Sequence, residues 1–206
     1  MEENKSYLRP EGRGIKLHLG CGDYWFDGFL NIDFGTYGGT DMLFDIRQPL
    51  PFQDGVVEVI EVHDVVEHMA DIEIEPMLKD WYRVLIKDGR VTASLPDFDG
   101  LATRYVNSQG EERKEVLLNI YGFYGDHKAG YTKESIKELF EKHGFKDITV
   151  ESIETKKDNC PRLEIVAWKR KTQRSFGLTL LIQIRYAEVG VMGLSTLVNY
   201  LPLEGM

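Results

Sequence analysis

The chain has 206 residues, enough for one sizeable core, and its 42% hydrophobic and 29% charged residues are those of an ordinary globular protein. A net charge of −9 argues against a general nucleic-acid binder, whose affinity rests on neutralising phosphates. Cys21 and Cys160 lie far apart and make no disulfide framework; with a polar start and no secretory signal, a reducing cytoplasm is the expected setting.

Residues 1–14 are polar, with Pro10, Gly12 and Gly14, and read as a lead-in segment. Ile15, Leu17 and Leu19 alternate as a first strand over 15–20, and the run stops at Gly20-Cys21-Gly22. Glycines at the C-terminal end of a strand let backbone approach a ligand with no Cβ between them. A second short apolar run ends in an acid, Asn31-Ile32-Asp33-Phe34. In an open α/β sheet, ligands bind beyond the carboxyl ends of the strands, and such an acid can accept both ribose hydroxyls. The pattern is half of an adenosine-binding site; its plain alternative is a tight turn after a buried strand. The dinucleotide fingerprint asks for a third glycine where this chain has Trp25, and for an acid about twenty residues on. Asp33 follows Gly22 by only eleven, which favours a nucleoside without pyrophosphate over a nicotinamide dinucleotide. The link from Gly22 to Phe29 is too short for a crossover helix of about a dozen residues, so the second strand is reached by a tight turn or is displaced.

A third short strand over 40–46 ends at Asp45, and Pro49 and Pro51 make the next stretch a loop. Val56 to Val62 reads as a buried central strand that runs into His63, Asp64, Glu67 and His68. Helical spacing of Ile74, Met77, Leu78, Trp81, Val84 and Leu85 predicts a helix over 72–86, stopped by Gly89 as a left-handed terminator. A strand over 90–95 leads into Pro96-Asp97, followed by helices over 98–106 and 111–121 and a glycine- and aromatic-rich loop from Tyr121 to Tyr131. Thr132 caps a helix over 133–143, and strands over 146–154 and 163–169 flank a turn at Asp158-Asn159-Cys160-Pro161. Alternating strands and helices imply an α/β domain over 15–170 with a mostly parallel sheet covered on both faces. Residues 171–206 are apolar in short bursts, too interrupted for a membrane span; docking on the domain or on a second copy is expected, a membrane-surface contact less so.

Several short pieces, in this order and spacing, resemble class I S-adenosylmethionine-dependent methyltransferases, particularly the small ones of sugar and cell-surface glycan biosynthesis. They are Leu17-His18-Leu19-Gly20-Cys21-Gly22, Gly28-Phe29-Leu30-Asn31-Ile32-Asp33, Asp45-Ile46-Arg47-Gln48-Pro49-Leu50-Pro51-Phe52, His63-Asp64-Val65-Val66-Glu67-His68, Tyr82 to Arg90 and Leu95-Pro96-Asp97. The likeness spans 16–97, extends from Gly130-Tyr131 to Phe145, and covers nothing after about residue 170. Lys87-Asp88-Gly89-Arg90 stands where the family has Lys-Pro-Gly-Gly. The resemblance implies a Rossmann-like, mostly parallel seven-stranded sheet with helices on both faces and the last strand antiparallel. It implies S-adenosylmethionine as cofactor, with Gly20, Cys21 and Gly22 along its methionine part and Asp33 on the ribose. Asp45 would meet the exocyclic amine, Ile46 the adenine ring, and His63 and Asp64 the sulfonium.

An electrophilic methyl needs an aligned acceptor, and an alcohol acceptor must also lose a proton. His63, Asp64, Asp97 and His127 are the catalytic candidates, and Tyr124, His127 and Tyr131 the candidates for holding substrate. His68 reads as a helix-start histidine bonding backbone, and no metal site is expected. The expected activity is O-methylation of a small molecule or a sugar or glycan acceptor. The alternatives are a cofactor-binding partner subunit without catalysis, or a methyltransferase acting on protein or RNA.

Overall fold

The computed structural model describes residues 14–154 and 160–170. The lead-in over 1–13, most of the turn before Cys160 and the C-terminal segment 171–206, with its docking expectation, lie outside the described residues.

The strands are β1 (Ile15–Leu19), β2 (Leu30–Asp33), β3 (Met42–Leu43), β4 (Val57–His63), β5 (Leu85–Pro96), β6 (Lys146–Glu154) and β7 (Pro161–Trp168). The helices are α1 (Asp71–Val84), α2 (Phe98–Asn107), α3 (Gly110–Tyr121) and α4 (Lys133–Lys142). One seven-stranded sheet runs in the order β3-β2-β1-β4-β5-β7-β6. Strands β1 to β5 pair in parallel, and β7 is antiparallel to both β5 and β6. The mostly parallel sheet with its antiparallel last strand is therefore the expected one.

Register assigns one set of side chains to each face. Leu17 aligns with Leu30 and Ile60, Leu19 with Ile32 and Val62, and Val62 with Ala93, which aligns with Ile165. These residues share a single core with Ile74, Leu78 and Trp81 of α1 and with Ile136 and Phe140 of α4. Burying one such side chain stabilises the fold by about 1.5–3 kcal/mol.

Residues 20–56 contain no helix, in keeping with the short link after Gly22 and with Pro49 and Pro51. One expectation changes. The left-handed residue of the turn inside β5 is Asp88 (φ 63), not Gly89. Gly89 serves a different need: a Cβ there would stand 3.0 Å from the Glu58 carbonyl oxygen. Thr132 caps α4 as expected, its hydroxyl accepting from the Ser135 N–H at 3.2 Å.

Candidate functional site

At the end of β1 the backbone turns left-handed at Gly20 (φ 67) and Gly22 (φ 52). The two glycines have different reasons. A Cβ on Gly20 would lie 2.4 Å from Val65 Cγ2, whereas one on Gly22 would meet nothing within 4 Å. Gly22 thus faces open space. Its N–H donates to Asp33 Oδ2 at 2.9 Å, and the Gly35 N–H donates to Asp33 Oδ1 at 3.1 Å. Two backbone donors fix the carboxylate of Asp33, which is only 5% exposed, while leaving each oxygen a second lone pair. Cys21 is turned away from this space: its thiol faces the Gly39 carbonyl and Thr40 Oγ1, both at 3.7 Å, and burial pushes its pKa up.

His63 and Asp64 stand at the end of β4. The ring of His63 meets Ser94 Oγ at 2.8 Å through Nδ1 and Glu61 at 3.4 Å through Nε2, and burial lowers its pKa. Phe26, from the β1–β2 turn, stacks on His18 at 4.1 Å and lies 5.8 Å from His63. Asp64 takes a left-handed backbone (φ 53) and pairs with Arg162 of β7. Behind it, Glu67 is 2% exposed; no N–H or hydroxyl donates to its oxygens among the described residues, and its carboxyl group meets that of Asp64. Burial first, then the Asp64 carboxylate, pushes Glu67 up to about 8.

The remaining candidates divide. Asp97 is buried and caps α2, accepting from the Asp99 N–H through Oδ1 and from the Ser152 hydroxyl through Oδ2. Asp45 binds Arg47 with both oxygens, at 2.8 Å each, and that guanidinium holds its carboxyl below the usual range. Ile46 is 7% exposed and belongs to the main core. Tyr131 is in that core as well, its hydroxyl pushed up to about 12 mainly by burial, with Asp71 and Glu67 adding to it. Tyr124 is 94% exposed at a loop tip. His127 is half-buried and edge-on to His68, with ring centroids 4.8 Å apart. His68 meets the Asp126 carboxylate at 3.3 Å rather than a backbone group. The strand ends therefore bring together Gly20, Gly22 and Asp33, and separately Asp64, Glu67, His68 and His127. The sequence places Glu67 in the polar cluster after the central strand but gives it no role, because nothing local shows that no donor reaches its side chain.

No protein-family model matches this chain. No curated protein matches it either. Solved structures do. A SAM-dependent methyltransferase from Archaeoglobus fulgidus superposes with a TM-score of 0.58 at 15% identity, over 77% of this chain and 87% of that one. A possible histamine N-methyltransferase from Thermotoga maritima gives 0.54 at 18% identity, over 79% and 84%. A Haemonchus contortus phosphoethanolamine N-methyltransferase, in complex with phosphomonomethylethanolamine and S-adenosylhomocysteine, gives 0.53 at 16% identity, over 79% of this chain and 51% of that one. At such identities the likeness is one of fold alone, and the fold of this chain is the one these methyltransferase structures share.

Proposed function

We propose that the protein is a S-adenosylmethionine-dependent methyltransferase that methylates a hydroxyl of a small-molecule or sugar acceptor. The observation that carries this reading is the joint made by Gly22 and Asp33: an open space over a Cβ-free residue, bordered by a buried carboxylate with lone pairs to spare. That is the need of an adenosyl ligand: backbone to run along, and an acceptor for ribose hydroxyls. Asp45 fits less directly, since Arg47 already engages both its oxygens, although Arg47 has a second carboxylate, Glu73, at 3.7 Å. The bound cofactor supplies an electrophilic methyl group.

The chain's own residues do the rest. His63, whose pKa burial lowers, ends β4 with Nδ1 on the Ser94 hydroxyl and Nε2 toward Glu61, so an acceptor proton would reach its ring by way of Ser94. Asp64, fixed by Arg162, supplies negative charge beside it. Exposed Tyr24, Trp25, Phe34 and Tyr37 lie on the loops flanking the β1 and β2 ends, where flat rings suit the apolar face of a sugar.

Titration calorimetry with S-adenosylmethionine and S-adenosylhomocysteine tests this. Asp33→Ala is expected to weaken either ligand by on the order of 100-fold, the cost of losing hydrogen bonds to a charged group. Wild-type affinity in that variant, or no binding to the wild type, removes the proposal. Binding without turnover on any hydroxyl acceptor turns the protein into a cofactor-holding partner subunit.

A further inference from the structure

Glu67 and His68 lie on the short 3-10 turn Val66–His68 that follows β4, and His127 on the loop after α3. The two segments are clipped together by backbone: the Lys128 and Ala129 N–H groups both donate to the Glu67 carbonyl, at 2.7 and 3.1 Å. One ligand atom from each of the three side chains then lies within 4.8 Å of the others.

Each histidine already uses one ring nitrogen. His127 Nδ1 is 3.2 Å from the Ile120 carbonyl, which only accepts, so that nitrogen carries the proton and Nε2 keeps its lone pair. His68 Nδ1 is 3.3 Å from Asp126 Oδ2, and the same logic leaves its Nε2 basic. A carbonyl or carboxylate behind the ring is the arrangement that orients metal-binding imidazoles. Glu67 adds a carboxylate with 2% exposure and no donor on either oxygen among the described residues. Two imidazoles and a buried carboxyl group that no donor reaches among the described residues thus make a convergent set of three ligands.

We propose that Glu67, His68 and His127 bind one divalent first-row transition-metal ion. Two imidazoles and a carboxylate are ligands of zinc, cobalt or ferrous iron rather than of magnesium, and they leave positions open for oxygen ligands. The ion would stand on the segment that begins at Asp64 and whose Val65 touches Gly20. On the methyltransferase reading, on which this last step rests, an acceptor hydroxyl is the oxygen ligand it would take.

The test uses the tag-free full chain, stripped with chelator and titrated with cobalt(II) and zinc(II). Visible cobalt absorption and calorimetry are expected to report one ion per chain. His127→Ala should lower affinity by about 100-fold or more, and Asp126→Asn, behind His68, by about tenfold. Added zinc should raise the melting temperature of the wild type and not that of His127→Ala. Should Glu67→Gln fail to fold, His127→Ala, altered on a loop, keeps the test decisive. Equal uptake by wild type and His127→Ala, or none by either, overturns the proposal. S-adenosylhomocysteine titrated into the same metal-free samples separates the two readings. Cofactor binding with no metal uptake sinks the metal site alone, and metal uptake with no cofactor binding sinks the methyltransferase reading alone.

Discussion

The same strands present two very different faces. On one, Leu17, Leu19, Ile60, Val62, Val91, Ala93, Leu163 and Ile165 are all apolar and all inside the main core. On the other, paired positions carry His18 and Glu61, Glu61 and Thr92, His63 and Ser94, then Ser94 and Glu164, with Arg162 next along β7. Of these, His18, Glu61, Thr92 and Ser94 are buried, and none belongs to the main core. Parallel strands usually read as apolar on both faces, because helices cover both. Here the missing crossover helices over 20–56 leave the second face to Phe26 and to side chains that bond one another. Stability and chemistry are thereby separated: one face holds the sheet together, and the other leads polar groups up to the strand ends.

The sharpest way to break that contrast is to injure each face in turn. Phe140→Ala, on the α4 side of the apolar face and fully buried, is expected to cost about 3–5 kcal/mol. Ser94→Ala removes a hydroxyl shared by His63 and Arg162 and should cost about 1 kcal/mol. Urea midpoints with a common slope measure both. Equal losses would mean that the polar face is as much a core as the other.

Next in size comes the edge where the faces meet the candidate site. Gly20→Ala combines a left-handed backbone with a 2.4 Å approach to Val65, and about 2–4 kcal/mol of destabilisation is expected. Gly22→Ala carries only the backbone penalty of about 1–2 kcal/mol, because its new methyl enters open space. That methyl occupies the proposed ligand's side, so Gly22→Ala should weaken S-adenosylhomocysteine more than its small stability loss accounts for. Unaltered affinity in Gly22→Ala would show that the open space is not where the ligand lies.

What the sequence could reveal followed the range of the interaction. Strand β1 and helix α1 were legible because their signals, alternation and helical spacing, are local. The Asp33 site was legible for a similar reason: an acid ending the strand after Gly-x-Gly is a short-range pattern. Asp97 is ambiguous in the sequence: an acid at a strand end suits catalysis, but Asp97-Phe98-Asp99 before a helix is also a capping signal, and Asp97 caps α2. Handedness is a local property and contact is not: the left-handed residue of the turn inside β5 is Asp88, and what crowds a side chain at Gly89 is the distant Glu58 backbone. Glu67, His68 and His127 were illegible as a group. Their meeting depends on Lys128 and Ala129 reaching the Glu67 carbonyl, and no local pattern encodes that.

Acid sharpens the comparison through His63. Burial lowers its pKa from the ordinary 6.5, with Arg162 in the same direction and Glu164 and Asp64 opposing. Below about pH 6.5 the unfolded chain therefore binds a proton that the folded chain resists, and stability falls as pH drops through that range. Glu164, raised by burial, acts with the opposite sign: its contribution is present at low pH and is lost as pH rises above the ordinary 4.5. Comparing His63→Gln with wild type isolates the first effect. The variant's melting temperature should fall less between pH 7 and pH 5.5; parallel curves would show that His63 titrates alike in both states.

The smallest expected effect concerns a pair outside both faces. Arg47 is exposed and holds Asp45, so Arg47→Ala should change stability by no more than about 0.5 kcal/mol. Its value lies in the ligand. If Asp45 serves the adenine amine, Arg47 is a competitor for the same oxygens, and its removal should leave S-adenosylhomocysteine affinity equal or stronger while Asp45→Ala weakens it. If both variants weaken binding alike, the bidentate pair acts as one unit, and the cofactor meets Arg47 rather than the bare carboxylate.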